Sequence, residues 1–381
     1  MSARPAVDDR KHFIEAVRTF ARRECGTREQ RAALTNGGTE AHNQAVNRTL
    51  AELGWSGVAM DPEWGGAGGG VTDACHLLEE LAHGKVPVFG LGISMIVART
   101  VQEFGTDAQR AEIVGGFCRG DVFSVAMSEP DSGSDVGSLT CRAEPVEGGY
   151  RINGQKTWIS CAHYAEKILL VCRTEPTGDK HEGISMLLVP TDTPGLSIRP
   201  IETLGGREVN DLYFTDAVVP ADALVGTEGG AWRQLMAGLN FERVLCAAIF
   251  LGNAGAAFDD ALDYVGTREQ FGRPIGSFQT IKHRVADLAT ELECCSLLVY
   301  DVARKVDENP GGALSREASM AKLKVTETAK RISIEGMQMM GGAGYTTEYD
   351  MEQHLRRNIV STVFAGTSEM QREIIAKAYR L

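Results

Sequence analysis

The apolar residues of this chain change period twice, and that limits the folds open to it. Phe13, Val17 and Phe20 recur at helical spacing with charge opposite them. A second helix is expected from Glu40 to Leu53, and further helical patterns at 72–82 and 92–104. No strand pattern appears before Val122. From there alternation takes over: residues 150–158 alternate around Asn153-Gly154, a dipeptide that favours a hairpin turn. Strand-like runs follow at 167–172, 185–189 and 211–214. The helical period then returns, with Ile281, Val285, Leu288, Leu292 and Cys295 forming a bundle-type stripe. Breaks are expected at 272–276, 309–312 and 341–344. The expectation is a mainly α fold with a central β domain: a helical domain over 1–121, a middle β domain over 122–226 and a C-terminal four-helix bundle over 227–381.

With 381 residues, 43% hydrophobic and 24% charged, the chain has the composition of a globular protein with substantial cores. A net charge of −12 argues against a nucleic-acid partner, because neutralising phosphates requires a basic surface. Nine cysteines without Cys-x-x-Cys pairs spell neither a zinc site nor a disulfide framework, and they fit a reducing compartment. The charged N-terminus lacks the apolar core of a signal peptide, and no run of about 18 apolar residues is apparent, so a cytoplasmic location without a membrane span is expected. The glycines at 65–70 follow a helix and do not spell G-x-G-x-x-G, which leaves a permissive loop as their reading. No serine nucleophile elbow, metal-ligand cluster or P-loop supports a hydrolase or a kinase.

Four stretches carry a resemblance. Met127-Ser128-Glu129-Pro130-Asp131-Ser132-Gly133-Ser134-Asp135 and Trp158-Ile159-Ser160 lie in the β region. Arg268-Glu269-Gln270-Phe271-Gly272 and Gln338-Met339-Met340-Gly341-Gly342-Ala343-Gly344 lie in the C-terminal helices. In this order, and with Phe364-Ala365-Gly366-Thr367 near the end, they resemble the acyl-CoA dehydrogenase family over essentially the whole chain. The resemblance implies FAD. The positions of Met127, Ser128, Trp158 and Ser160 would surround the flavin, and that of Ser134 would face the pyrophosphate and the substrate arm. Arg268, Phe271, Gln338, Gly341 and Gly342 match segments that reach the cofactor of a neighbouring subunit, which implies a homo-oligomer, most often a tetramer. Thr367 and Glu369 match further cofactor contacts.

The family removes an α-proton from an acyl thioester, usually with a glutamate immediately before Gly-Thr. Here that position is Ala365, which has no carboxylate. Its backbone N–H matches the donor to the thioester carbonyl and survives the change of side chain. A different base is therefore required. Glu242, in Gly-Leu-Asn-Phe-Glu-Arg-Val-Leu (238–245), resembles the glutamate that supplies the base in the isovaleryl-CoA dehydrogenase-like and long-chain branches. Apolar neighbours should raise its pKa toward the range useful to a general base. Of the other carboxylates, Glu369 matches a position that contacts cofactor rather than substrate, and Glu208 and Asp211, in an expected loop of the β domain, have no family precedent as base. Ser134, Met95, Leu239, Arg243 and Gly366 are the expected substrate contacts.

The reading is FAD-dependent α,β-dehydrogenation of an acyl thioester, carried on CoA or on a carrier protein. Electrons would leave to an electron-transfer flavoprotein or another acceptor. The alternatives are an enoyl thioester reductase using the same site, and a non-catalytic flavoprotein partner subunit that has lost its base.

Overall fold

The computed structural model describes residues 7–175, 179–309, 312 and 314–380. Helices α1 (Val7–Cys25), α2 (Arg28–Leu34), α3 (Gln44–Glu52), α4 (Val71–His83), α5 (Phe89–Phe104), α6 (Asp107–Gln109) and α7 (Gly115–Cys118) fill the first third. The helix expected from Glu40 begins later because Asn43 caps it, its side chain accepting the Val46 N–H at 3.0 Å. Eight strands follow: β1 (Phe123–Ala126), β2 (Arg142–Val146), β3 (Gly149–Ser160), β4 (Lys167–Arg173), β5 (Ile184–Pro190), β6 (Leu196–Thr203), β7 (Gly206–Pro220) and β8 (Leu224–Val225). The rest is α8 (Ala231–Thr267), the short pair β9 (Glu269–Gln270) and β10 (Arg273–Pro274), then α9 (Gln279–Glu308), α10 (Ser315–Met340), α11 (Gly342–Tyr345), α12 (Met351–Ile359) and α13 (Ser368–Lys377). The expected mainly α fold with a central sheet is the observed one.

Two compact units result, each assembled from separated stretches. The first holds Ala32–Gly69 and Pro87–Leu239, and so contains the sheet. Its strand order is β6-β7-β3-β2-β4-β5-β8, with β1 beside β4. The link between β2 and β4 is a single residue pair, Arg142 with Arg173. Ile152, Ile168, Leu170, Leu187, Leu212 and Phe214 form the heart of its core.

The hairpin expected at Asn153-Gly154 is not there. The chain turns earlier, at Glu147-Gly148, where Val146 pairs with Gly149 and Gly148 has φ +79°. Asn153-Gly154 lies inside β3 at a register shift against β7. Gly154 is required for another reason: a Cβ there would stand 2.7 Å from the Cys141 Cα.

The second unit joins the described residues up to Arg31 and Gly70–Val86 to everything from Asn240 onward. Here α10 packs against α9, α12 and α13. The Asp307 carboxylate of α9 accepts the Val71 and Thr72 amides at the start of α4, at 2.6 and 3.1 Å, where a negative charge also suits the helix dipole. The expected break at 309–312 includes Pro310 and Gly311, which lie outside the described residues. That expected at 341–344 contains the short α11 after Gly341, whose φ is +60°. Helix α8 is long and apolar enough to cross a membrane by length and composition, but 59% of its apolar window is buried inside the protein, as in the core helix of a globular fold.

Candidate active site

In the helical unit, Glu242 sits on α8 between buried Phe241 and Val244. Glu242 itself is half-buried. Burial pushes its pKa above the usual carboxylate range, against the opposing pull of the Arg243 and Lys322 charges. No ion pair joins Glu242 to Arg243 among the described residues; the Arg243 guanidinium instead donates to Asn240 Oδ1 at 2.7 Å.

The stretch from Ser361 to Thr367 is held by its carbonyls. Lys322, fully buried on α10, donates from Nζ to the carbonyls of Ser361 (2.9 Å), Phe364 (2.9 Å) and Gly366 (2.8 Å). Gln371 Nε2 on α13 adds bonds to the carbonyls of Ala365 (3.2 Å) and Gly366 (2.8 Å). Ala365 and Gly366 have φ of +51° and +76°. For alanine that conformation costs roughly 1–2 kcal/mol, so it persists because the surroundings impose it. Among the described residues the amides of Ala365, Gly366 and Thr367 meet no acceptor. The Thr367 hydroxyl caps α13 by accepting the Met370 N–H at 3.2 Å. Glu369 is exposed and its carboxyl is held below the usual range, chiefly by a backbone hydrogen bond. It makes a poor base.

In the sheet unit, the Ser128 carbonyl accepts the Thr157 N–H at 3.0 Å, which ties the stretch leading into the Glu129–Ser132 turn to β3. A register shift between Lys156 and Ile159 puts Trp158 at φ +62° with its indole 61% exposed. The hydroxyls of Ser128, Ser134 and Ser160 have no partner among the described residues, although the Ser160 carbonyl accepts from Ser124 Oγ at 2.6 Å. An open indole beside unspent hydroxyls suits a flat aromatic ring with a polar edge. Beneath this edge Lys156, fully buried, donates to the Met127 carbonyl and to Glu129 Oε1, both at 2.8 Å. Met95 is wholly enclosed within the same unit and packs there; Leu239 is partly buried.

The remaining expected contacts are exposed on the helical unit: Arg268, Gln338, Gly341, Gly342 and Phe271, the last 93% exposed at the tip of the β9–β10 turn. A Cβ added at Gly341 or Gly342 would meet nothing within 4 Å, so nothing within the chain crowds either position.

Two anchors escaped the motif reading. Lys322 and Lys156 look like ordinary solvated lysines in isolation. The signal was in the period: Ala318, Lys322, Val325, Ala329 and Ile332 follow one helical stripe, all of it buried.

Three domain profiles cover nearly all of the chain. "Acyl-CoA dehydrogenase, N-terminal domain" matches residues 7–121, the middle domain matches 124–217, and the C-terminal domain matches 229–379. The isovaleryl-CoA dehydrogenase of Arabidopsis thaliana is 33% identical over 377 residues, 97% of this chain and 91% of that one. The acyl-CoA dehydrogenase of Geobacillus kaustophilus superposes with a TM-score of 0.92 at 32% identity, covering 100% of both chains. The FAD complex of PigA superposes at 0.91 with 27% identity, again over 100% of both. The chain belongs to the acyl-CoA dehydrogenase family.

Proposed function

We propose that this protein is an FAD-dependent dehydrogenase of acyl thioesters, with Glu242 as the base that takes the α-proton. The observation that carries this reading is the division of labour in the helical unit. A carboxylate raised by burial sits on α8, while the Ala365 loop offers unspent amides and no side-chain base. The amide of Ala365 binds the thioester carbonyl as negative charge develops on its oxygen. By analogy with the family, Ser134, Leu239, Arg243 and Gly366 are the proposed contacts for the thioester. Met95, wholly enclosed, can influence the acyl group only through packing.

The indole of Trp158 and the hydroxyls of Ser128 and Ser160, with the Met127 backbone, would hold the flavin ring. Thr367 and Glu369 are proposed as further cofactor contacts by the same analogy. FAD held there supplies a two-electron acceptor for the β-hydride. The exposed Arg268, Phe271, Gln338, Gly341 and Gly342 support a homotetramer in which one subunit completes the cofactor site of another. The guanidinium fork suits a pyrophosphate, and the uncrowded glycines admit close approach. A CoA or carrier-protein thioester is the substrate, and a separate acceptor such as an electron-transfer flavoprotein takes the electrons. Free thiols at all nine cysteines support a cytoplasmic location.

The test is Glu242→Gln. The variant should retain its yellow flavin and lose roughly 10²–10⁴ in the rate at which substrate bleaches it. That loss corresponds to about 3–5 kcal/mol of barrier. Bleaching at the wild-type rate would refute the assignment.

A further inference from the structure

The Ala365 loop is held by a buried cation that the reaction scheme above does not use. Lys322 Nζ has three carbonyl acceptors within 2.9 Å, those of Ser361, Phe364 and Gly366. A neutral amine has two hydrogens to give and an ammonium has three, so this coordination requires the charged form. No carboxylate is hydrogen-bonded to it among the described residues. The charged groups it feels are Glu242 and Arg243 on α8 and Glu369 on α13, besides the Cys246 thiol. A fully buried ammonium without a paired anion is costly, and here its charge is spread into peptide dipoles instead.

Those dipoles have a direction. Every peptide bond in the described chain is trans, so a carbonyl and the N–H of the next residue point opposite ways. Turning the Phe364 carbonyl inward onto Lys322 turns the Ala365 N–H outward. The Gly366 carbonyl, bound by Lys322 and Gln371, does the same for the Thr367 N–H. A peptide whose carbonyl accepts from a cation is polarised, which makes its N–H a stronger donor.

We infer that Lys322 is a positioning residue for the thioester carbonyl: through the Phe364–Ala365 peptide it aims the Ala365 N–H and strengthens it as an oxyanion donor. This rests on the dehydrogenase reading above. It assigns to a residue on α10 part of the electrostatic stabilisation that the loop delivers. Gln371 supports the same loop without charge, so its removal should disturb the geometry more than the polarisation.

The test uses FAD-loaded enzyme and a probe that the oxidised enzyme does not turn over, 3-methylbut-2-enoyl-CoA labelled with ¹³C at the carbonyl. Infrared difference spectra report the stretch of the labelled carbonyl when bound. In the wild type the stretch should lie below its solution value. In Lys322→Met and Lys322→Gln it should return most of the way, and flavin bleaching by saturated substrate should slow by about 10- to 100-fold, at or below the effect of deleting an oxyanion donor outright. Gln371→Ala should keep most of the stretch shift. Glu242→Gln should lose the rate and keep the shift, which separates the two proposals. If Glu242→Gln bleaches normally, the choice of base is wrong. If it does not, but the neutral Lys322 variants keep the full shift, Lys322 serves the loop only as structure. Should neither Lys322 variant fold, an unshifted stretch in the wild type would still overturn the proposal, because no polarised donor would then act on the carbonyl.

Discussion

The second buried lysine allows a stability prediction that can be worked from the structure. Lys156 and Glu129 are both buried and 2.8 Å apart. Lys156 also donates to the Met127 carbonyl. Glu129 accepts the Thr140 N–H and hydroxyl at 2.7 and 2.8 Å and the Cys141 N–H at 2.9 Å. Breaking a buried pair by removing one partner costs roughly 3–5 kcal/mol. In Lys156→Met, Glu129 keeps three donors, so the cost should fall at the lower end, about 3 kcal/mol. A typical domain has only about 5–15 kcal/mol in hand. The double variant Lys156→Met/Glu129→Gln leaves no buried charge and should recover about 2 kcal/mol relative to the sum of the two single variants. The assay is urea unfolding with unchanged m-value, one cycle of four proteins. The stretch carrying Met127 and Ser128 is held by this pair, so flavin content should fall with stability in the single variants. A loss under about 0.5 kcal/mol in Lys156→Met, or strict additivity in the cycle, would refute the reasoning. The pair also has a pH signature. Burial raises the Glu129 pKa, but the Lys156 charge and the amide donors outweigh it and hold the carboxyl below its usual range. Its stabilisation is therefore in full above the ordinary carboxylate pKa of about 4.3 and is lost as pH falls below that toward the native value.

Two further substitutions probe the scaffold. Gly154→Ala puts a Cβ 2.7 Å from the Cys141 Cα at φ +144°, and should cost about 2–3 kcal/mol in the urea midpoint. Asp260, bonded to His354 at 2.7 Å and to Lys85 at 2.7 Å, is pushed up by burial but pulled by these partners to about 2. Asp260→Asn should cost about 1–2 kcal/mol, reduced for its part-exposed side chain, in stability measured at neutral pH. The difference from wild type should vanish as pH falls from about 4 toward 2, and a pH-independent difference would show that the charge contributes nothing.

Which parts of this were legible in the sequence follows from which forces leave a local trace. The switch from helical to alternating period is written wherever one face is buried, so α9 and strands β4 and β5 were readable from their apolar residues. Strand β6 was not, because most of its residues are exposed or half-buried and its pairing with β7 supplies the order. Asn153-Gly154 misled because the need for glycine there comes from Cys141, just before β2 and thirteen residues away in sequence. Glu242, Trp158 and Ser128 are proposed on their resemblance to the family's motifs. Lys322 and Lys156 were missed because a lysine is ordinarily solvated, and only the apolar residues around it on the same stripe indicate otherwise.

The alanine at 365 becomes intelligible once the loop is seen to be held by its carbonyls. If the side chain at this position fixed the backbone, losing a glutamate would also cost the oxyanion donor. The φ of +51° at Ala365 is imposed by Lys322 and Gln371, acting on carbonyls from 361 to 366, and none of those bonds involves the residue's side chain. The donor is thus independent of the side chain that carries it. A base needs only a carboxylate whose pKa is raised by its surroundings, and the buried face of α8 can supply that as well as the loop can. The same Lys322 charge that orders the loop also opposes the rise in the Glu242 pKa. That opposition favours the ionised carboxylate, the form a proton acceptor requires. One buried ammonium therefore couples the two halves of the proposed chemistry, while each half remains free to change its own side chain.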